Sequence, residues 1–126
     1  MRTMLIGAVS ALACAFAGAA VAQARGDWVL SYYQGGPYLY PAVVQSVSGS
    51  RVTLLWDDGT VSEVNRTDVR PYNWRVGTAI SCKWTDGLYY PARIDRIGSD
   101  GTTLDVIWTE EGTTSRTNTG ACRSTG

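Results

Sequence analysis

The sequence carries one pattern twice, with the two copies about fifty residues apart. Tyr40-Pro41-Ala42 of the first copy returns as Tyr90-Pro91-Ala92 in the second. Leu54-Leu55-Trp56 returns as Val106-Ile107-Trp108, and an acidic residue followed by Gly-Thr comes soon after each tryptophan. The spacing between matched residues grows slightly along the chain, which places the insertions in turns, as expected of a duplicated structural unit. Whatever fold one copy adopts, the other is therefore expected to adopt as well.

The first residues of the chain are typical of a secretory signal peptide. Arg2 gives a positive start, an apolar and alanine-rich run follows, and small residues fit a cleavage site after Ala22 or Ala24. We expect residues 1–24 to be removed and the mature protein to be secreted or periplasmic. Two alternatives stay open: a retained anchor, although the run is richer in alanine than in leucine, and lipidation at Cys14.

Composition argues against several classes of function. The chain has 11 Lys and Arg against 11 Asp and Glu, so it lacks the basic excess with which proteins hold nucleic acids or anionic membranes. It has no histidine, the usual general base and the commonest transition-metal ligand. No motif in the sequence pairs a nucleophile with a base. We therefore expect no enzymatic activity, no cofactor or metal, no nucleic-acid binding and no membrane span in the mature chain.

Each copy is expected to form five short β-strands. Runs of alternating apolar and polar residues are separated by glycine-containing turns, and no helical period is present. In strand two of the second copy, Ala92 and Ile94 alternate with charged residues, which marks one face as buried. Short, bent strands of this number close best into an SH3-like barrel. The predicted fold is all-β, with two tandem five-stranded SH3-like barrels at residues 26–71 and 76–123.

The two cysteines that follow the signal peptide provide a test of this fold. Cys82 and Cys122 align with Tyr32 and Val69 of the first copy, in the predicted first and last strands. An SH3-like barrel brings these strands together, and cysteines of exported proteins are usually oxidised. We predict a disulfide between Cys82 and Cys122, with Cα atoms about 4.4–6.8 Å apart. In the first barrel, the apolar pair Tyr32 and Val69 is predicted to close the same seam.

The segments between and after the barrels are short. Residues 71–75 join the barrels and include Tyr72 and Trp74. Because barrels of this size are marginally stable alone, we expect both rings to pack between them. Residues 124–126 are expected to form a disordered tail.

The segment from Cys82 to Ile94, with its Tyr-Pro-Ala tripeptide, and the apolar strand that ends in Trp108 together resemble the Tudor and agenet domains. The first copy resembles them from Asp27 to Pro71. The resemblance covers almost the whole chain after the signal peptide, and it implies two tandem Tudor-like barrels that act as a binding module. In this family, an aromatic cage holds a methylated lysine or arginine side chain by cation–π attraction, helped by a nearby acid.

The resemblance also marks two candidate cages. The second copy keeps three aromatic positions but has an acid where methyl-arginine readers have another aromatic. The first copy keeps two aromatics and an acid, while its strand-one aromatic is displaced to Tyr33 or Tyr38. The asparagine that orients the family's ligand is missing from both copies. The candidate cage residues are Trp84, Tyr90, Trp108 and Glu111 in the second copy and Tyr33, Tyr40, Trp56 and Asp58 in the first.

The function expected from these features is that of an exported, non-enzymatic binding module. It would recognise a cationic or methylated side chain, or a short peptide, of an envelope or extracellular protein. The alternative is a structural or protein–protein interaction module whose rings fill the barrel ends and leave no cage for a small ligand. The two hypotheses differ at Trp108, whose removal would unfold a barrel in the second case and abolish binding by a folded protein in the first.

Overall fold

The computed structural model describes residues 23–126, so the predicted signal peptide lies outside the described residues except for its last two positions. The first barrel consists of β1 (Trp28–Tyr32), β2 (Tyr38–Ser48), β3 (Arg51–Trp56), β4 (Val61–Asn65) and β5 (Val69–Pro71). The second barrel consists of β6 (Ala79–Lys83), β7 (Tyr89–Ile97), β8 (Thr103–Trp108), β9 (Thr114–Asn118) and β10 (Cys122–Thr125). Short 3₁₀ turns, Arg66–Asp68 and Thr119–Ala121, precede the last strand of each barrel. Within residues 23–126, no helix has the length and apolar character needed to cross a membrane.

The two barrels have the same strand pairing. In the first, β1 pairs with β2 and β5, while β3 lies between β2 and β4. In the second, β6 pairs with β7 and β10, while β8 lies between β7 and β9. The register shifts at equivalent places in the long second strand of each barrel, after Val44 and after Ile94. Such bulges bend a strand sharply. The predicted all-β fold of two tandem five-stranded barrels is confirmed.

Apolar residues that alternate along the strands fill the interior of each barrel, as the sequence pattern predicts. The first core contains Val29, Ala42, Val44, Val52, Leu54, Trp56, Val64 and Val69. The second contains Ile80, Cys82, Ala92, Ile94, Leu104, Val106, Trp108 and Cys122. The tryptophan at the end of the third strand is therefore a core residue in both barrels.

The disulfide between Cys82 and Cys122 is confirmed, and it joins the first and last strands of the second barrel. The two Cα atoms are 4.1 Å apart, slightly closer than predicted. The cysteines lie directly opposite each other on neighbouring antiparallel strands, a pairing that by itself brings Cα atoms to within about 4.5–5.5 Å. The disulfide thus closes the seam of the second barrel.

The predicted partner of Val69 is wrong by one residue. Ser31, not Tyr32, lies opposite Val69 in the first barrel, at the place that Cys82 occupies in the second. The Ser31 side chain is completely buried, and its hydroxyl lies within hydrogen-bond distance of two main-chain oxygens, that of Tyr32 at 3.0 Å and that of Asp68 at 3.2 Å. A buried hydrogen bond therefore stands where the second barrel has its disulfide.

The barrels are joined by a shared strand. The first half of β10 pairs with β6, and its second half pairs with β2, where Ser124 lies opposite Leu39 and Thr125 opposite Tyr38. All ten strands thus belong to one continuous sheet. The expectation of a disordered tail at 124–126 is wrong, because the edge of β2 offers main-chain partners to these polar residues.

The linker rings pack between the barrels, as predicted. Trp74 is buried in the second core, together with Leu30 and Leu39, which come from the first barrel. Tyr72 packs against the same core and meets Trp28 edge to face, with ring centroids 5.5 Å apart. Because β1 buries residues on both of its faces, one face completes the first core and the other forms the interface.

Gln23 and Ala24, at the start of the described chain, contact the first barrel. Gln23 is buried; its side-chain oxygen accepts a hydrogen bond from Arg66 Nε at 3.1 Å. The main-chain N–H of Ala24 donates to Asp27 at 2.9 Å. Of the two predicted cleavage positions, the one after Ala22 would keep these contacts in the mature protein.

Replacing Tyr72 by phenylalanine is expected to leave the protein at least as stable as the wild type at neutral pH. The Tyr72 hydroxyl is buried with no hydrogen-bond partner among the described residues, so its removal leaves no other group unpaired. Burial raises the pKa of Tyr72 to about 12, and the negative charge of Asp57 adds to this. Urea unfolding at several pH values measures the effect.

The raised pKa of Tyr72 predicts how the free energy of unfolding changes with pH. A phenol whose folded-state pKa lies above its ordinary value of 10.0 favours the folded state only while it stays protonated. Wild-type stability should therefore fall between pH 10 and about 12 by more than that of Tyr72→Phe. Equal losses in the two proteins would show that the hydroxyl is not buried in solution. Replacing exposed Tyr33 by phenylalanine serves as the control.

Candidate ligand-binding sites

Each barrel carries an aromatic pocket, and the two pockets lie at the same place in the fold. Three elements meet there: the chain leaving the first strand, the start of the second strand and the end of the third. The second pocket has a volume of about 220 Å³ and is lined by Trp84, Asp86, Tyr90, Pro91, Trp108, Glu110 and Glu111. The first has a volume of about 190 Å³ and is lined by Tyr33, Tyr40, Pro41, Trp56, Asp57, Asp58, Thr60, Lys83, Tyr89 and Gly120. The structure thus places every candidate cage residue of the sequence in one of the two pockets.

The second pocket has a fixed floor and exposed walls. Its floor is Trp108, which is buried and donates a hydrogen bond from Nε1 to the Ser115 hydroxyl at 2.8 Å. Trp84 meets Trp108 edge to face, with centroids 5.3 Å apart and planes at 89°. Trp84 and Tyr90 are 43% and 37% exposed. Two ring surfaces are therefore open to a ligand beside a third that the core holds in place.

Acidic side chains surround this pocket. Asp86 accepts a hydrogen bond from the Tyr90 hydroxyl at 2.5 Å, and this bond is the main reason that the pKa of Asp86 lies below its usual range. Glu110 and Glu111 lie in the turn between β8 and β9, and among residues 23–126 no lysine or arginine lines the pocket. In residues 23–126, no group of three or more His, Cys, Asp or Glu side chains is arranged to hold a metal ion. Aromatic faces beside carboxylates form a favourable environment for an organic cation.

Sequence reasoning missed two of these acids. Neither Asp86 nor Glu110 is among the residues that the sequence predicts for the cages. The sequence predicts a turn at Asp86, since Asp-Gly pairs favour turns. The contact between the Asp86 side chain and Tyr90 could have been inferred from their four-residue separation across that turn.

The first pocket repeats the aromatic geometry. Tyr33 meets Trp56 edge to face, with centroids 5.4 Å apart and planes at 88°. Trp56 is buried, and its Nε1 donates to the Ser62 hydroxyl at 2.7 Å, as Trp108 does to its serine. Tyr33 also meets Tyr40 at 6.3 Å. Of the two candidates for the strand-one aromatic, Tyr33 lines the pocket and Tyr38 does not.

The border of the first pocket comes partly from the second barrel. The guanidinium of Arg123 lies between the rings of Tyr38 and Tyr89, 3.6 and 3.7 Å from their centroids. Its Nη1 also donates to the Tyr40 hydroxyl at 3.1 Å. Tyr89 is thereby held against the first barrel, and Lys83 lies beside it. The complete lining of this pocket therefore requires both barrels.

Similar solved structures are found among tandem Tudor and agenet proteins. The tandem tudor domains of Crb2 match with a TM-score of 0.51 and 14% identity, over 83% of this chain and 82% of that one. The chain has the fold of tandem Tudor domains. The AGD34 unit of AGDP1 from Arabidopsis thaliana matches with a TM-score of 0.41 and 15% identity, over 81% of this chain and 82% of that one. No protein-family model matches the sequence. No curated protein matches it either.

Proposed function

We propose that the protein is an exported, non-enzymatic binding module whose second pocket holds a cationic or methylated side chain of a protein or peptide. The observation that carries this proposal is the composition of the second pocket. Exposed faces of Trp84 and Tyr90 stand beside the fixed ring of Trp108, and the remaining charged groups of the lining are all carboxylates. The partner would be a protein of the cell envelope or the extracellular space.

The physical basis is cation–π attraction combined with burial of methyl groups. A methylated ammonium spreads its charge over apolar methyl groups, so contact with a ring face gains electrostatic energy and removes apolar surface from water. Each such contact contributes roughly 0.5–2 kcal/mol. The nearby carboxylates add attraction that depends on salt concentration. For the free side chain alone, we expect a dissociation constant of about 10 μM to 1 mM.

The exposed rings favour a cage over the alternative of a module without one. The alternative expects aromatic residues that fill the barrel ends, and buried Trp56 and Trp108 meet that expectation. Tyr33, Trp84 and Tyr90 are instead 42%, 43% and 37% exposed. Rings of this size gain most when buried, so three exposed rings grouped around pockets support a binding role.

Export is supported by the disulfide as well as by the signal-like start of the chain. A disulfide persists mainly in oxidising compartments, where secreted and periplasmic proteins fold. The bond between Cys82 and Cys122 fits such a compartment. The proposed ligand is therefore displayed outside the cytosol.

Replacing Trp84 by alanine is expected to weaken binding of trimethyllysine at least about tenfold, because it removes one exposed ring face from the second pocket. Trp28→Ala is the matched control: Trp28 is the same residue type and is exposed to the same degree, but it lines neither pocket. It should change this affinity less than about twofold. Calorimetric titrations of trimethyllysine, dimethylarginine and unmodified lysine measure the effect. Equal losses in both variants, or no binding of any of these by the wild type, would overturn the proposal.

A further inference from the structure

The first pocket differs from the second because its lining contains a cation. Lys83, at the end of β6, reaches it from the second barrel. The carboxylates that line the first pocket belong to Asp57 and Asp58, and Asp57 already accepts a hydrogen bond from the Thr119 hydroxyl at 2.5 Å. In the described part of the chain, the residues that line the second pocket include three carboxylates and no basic residue. Two pockets with the same ring geometry thus present different charges to a ligand.

The ammonium of Lys83 is available to a ligand. Its Nζ lies 5.6 Å from the centroid of the Tyr89 ring. The two salt bridges in the described part of the chain join other residues. Its positive charge contributes to the lowered pKa of Asp58, after the larger effect of the hydrogen bonds from Thr60. The ammonium therefore faces the same space as the Asp58 carboxylate without being neutralised in an ion pair.

The wall that carries Lys83 is fixed in place. Tyr89 is stacked against the guanidinium of Arg123, which in turn holds the Tyr40 hydroxyl of the first barrel. The shared strand β10 anchors Arg123 itself, because its neighbours pair with β6 and with β2. A cation and an anion thus stand on opposite barrels across one pocket.

We propose that the first pocket binds a zwitterion, that is, a methylated amine joined by a few bonds to a carboxylate or phosphate. The amine would lie against Tyr33 and Trp56 beside Asp58, and the anionic end would face Lys83. A ligand with only a positive charge would meet the like charge of Lys83, and one with only a negative charge would meet Asp58. The pocket volume of about 190 Å³ suits a small ligand.

The inference extends the proposed function, since it uses the same ring arrangement with a different charge pattern. The test uses the whole protein and follows the indole N–H signals of Trp56 and Trp108, one in each pocket, by NMR. Glycine betaine and phosphocholine are the zwitterionic probes, choline is the cation alone and acetate is the anion alone. The Trp56 signal should report binding of a zwitterion at least about tenfold tighter than of choline, and Trp108 should show the opposite order.

Charge variants at position 83 test whether the Lys83 ammonium sets the ligand preference of the first pocket. Lys83→Gln should weaken zwitterion binding at Trp56 at least about fivefold, and Lys83→Glu should make choline the preferred ligand there. Arg93→Gln is the control, since it also removes one exposed positive charge but lines neither pocket. It should leave both affinities unchanged.

The outcomes separate the inference from the proposed function. Preference for glycine betaine assigns a carboxylate ligand, and preference for phosphocholine assigns a phosphate headgroup; either supports the inference. Choline binding at Trp56 as tightly as both zwitterions, or Lys83→Gln without effect, would overturn it. Choline binding at Trp108 in the same experiment would leave the proposed function standing.

Discussion

Replacing Trp108 by alanine is expected to lower the free energy of unfolding by about 3–5 kcal/mol. The indole is buried in the second core and its Nε1 is hydrogen-bonded to Ser115, so truncation leaves both a cavity and an unpaired hydroxyl. Trp84→Ala is the control, because this ring belongs to the same pocket but is largely exposed. It should cost less than about 1 kcal/mol. Urea unfolding followed by far-UV circular dichroism measures both.

Equal stabilities of the two variants would contradict the placement of Trp108 in the core. Trp108→Ala cannot by itself distinguish a ligand-binding cage from a purely structural role, since Trp108 serves both as a core residue and as the floor of the second pocket. Loss of binding in Trp108→Ala could come from unfolding alone. Trp84→Ala tests binding without this ambiguity, because its effect on folding is small.

Removing the disulfide is expected to lower the free energy of unfolding by about 3–4 kcal/mol, because the bond closes a loop with a sequence separation of 40. The double variant Cys82→Ser with Cys122→Ser avoids a free thiol, and its melting temperature should fall by more than about 10 °C. Beyond Cys122, β10 continues into its pairing with β2. Destabilisation should therefore spread to the first barrel, and both should unfold in one transition.

The matched control for this variant is Ser31→Ala, at the equivalent place in the first barrel. It removes one buried hydrogen bond and should cost about 1–3 kcal/mol. Differential scanning calorimetry distinguishes the two effects. A double serine variant that melts at the wild-type temperature would contradict the role of the disulfide. Two separate transitions would contradict the coupling of the barrels through β10.

The strands and their turns could be predicted because the sequence repeats its signals. Alternating residues in each strand two, and glycine in each turn, place the strands in both copies. The register of strand one could not be predicted with the same certainty. The chain between paired Tyr32 and Leu39 is one residue longer than that between Lys83 and Tyr89. Because Gln34 absorbs the extra residue with a positive φ of 51°, the sequence alignment shifts by one there.

This shift explains the errors at the first seam and in the first cage. Aligning Cys82 with Tyr32 hid the role of Ser31, and it made the strand-one aromatic of the first copy seem displaced. With the register of the structure, Tyr33 is the direct counterpart of Trp84. Strand pairing determines which residues of the two barrels are equivalent, and short motifs on either side of a turn do not.

Features that depend on the contact between barrels left little signal in the sequence. Ser124 and Thr125 have no apolar alternation, and they form a strand because β2 offers an unpaired edge. Lys83 and Tyr89 reach the pocket of the other barrel only through the docking geometry. The repeated motifs are alike in the two copies, so they predict two similar cages and not their difference in charge.

The central claim is that the second pocket takes a cationic ligand, and titration of the 15N-labelled protein with trimethyllysine tests it most directly. Five tryptophans give five indole N–H signals. We predict saturable shifts of Trp84 and Trp108 with a common dissociation constant, while Trp28 and Trp74, which line neither pocket, stay unchanged. The absence of any saturable shift at Trp84 and Trp108, or equal shifts at all five signals, would contradict the claim.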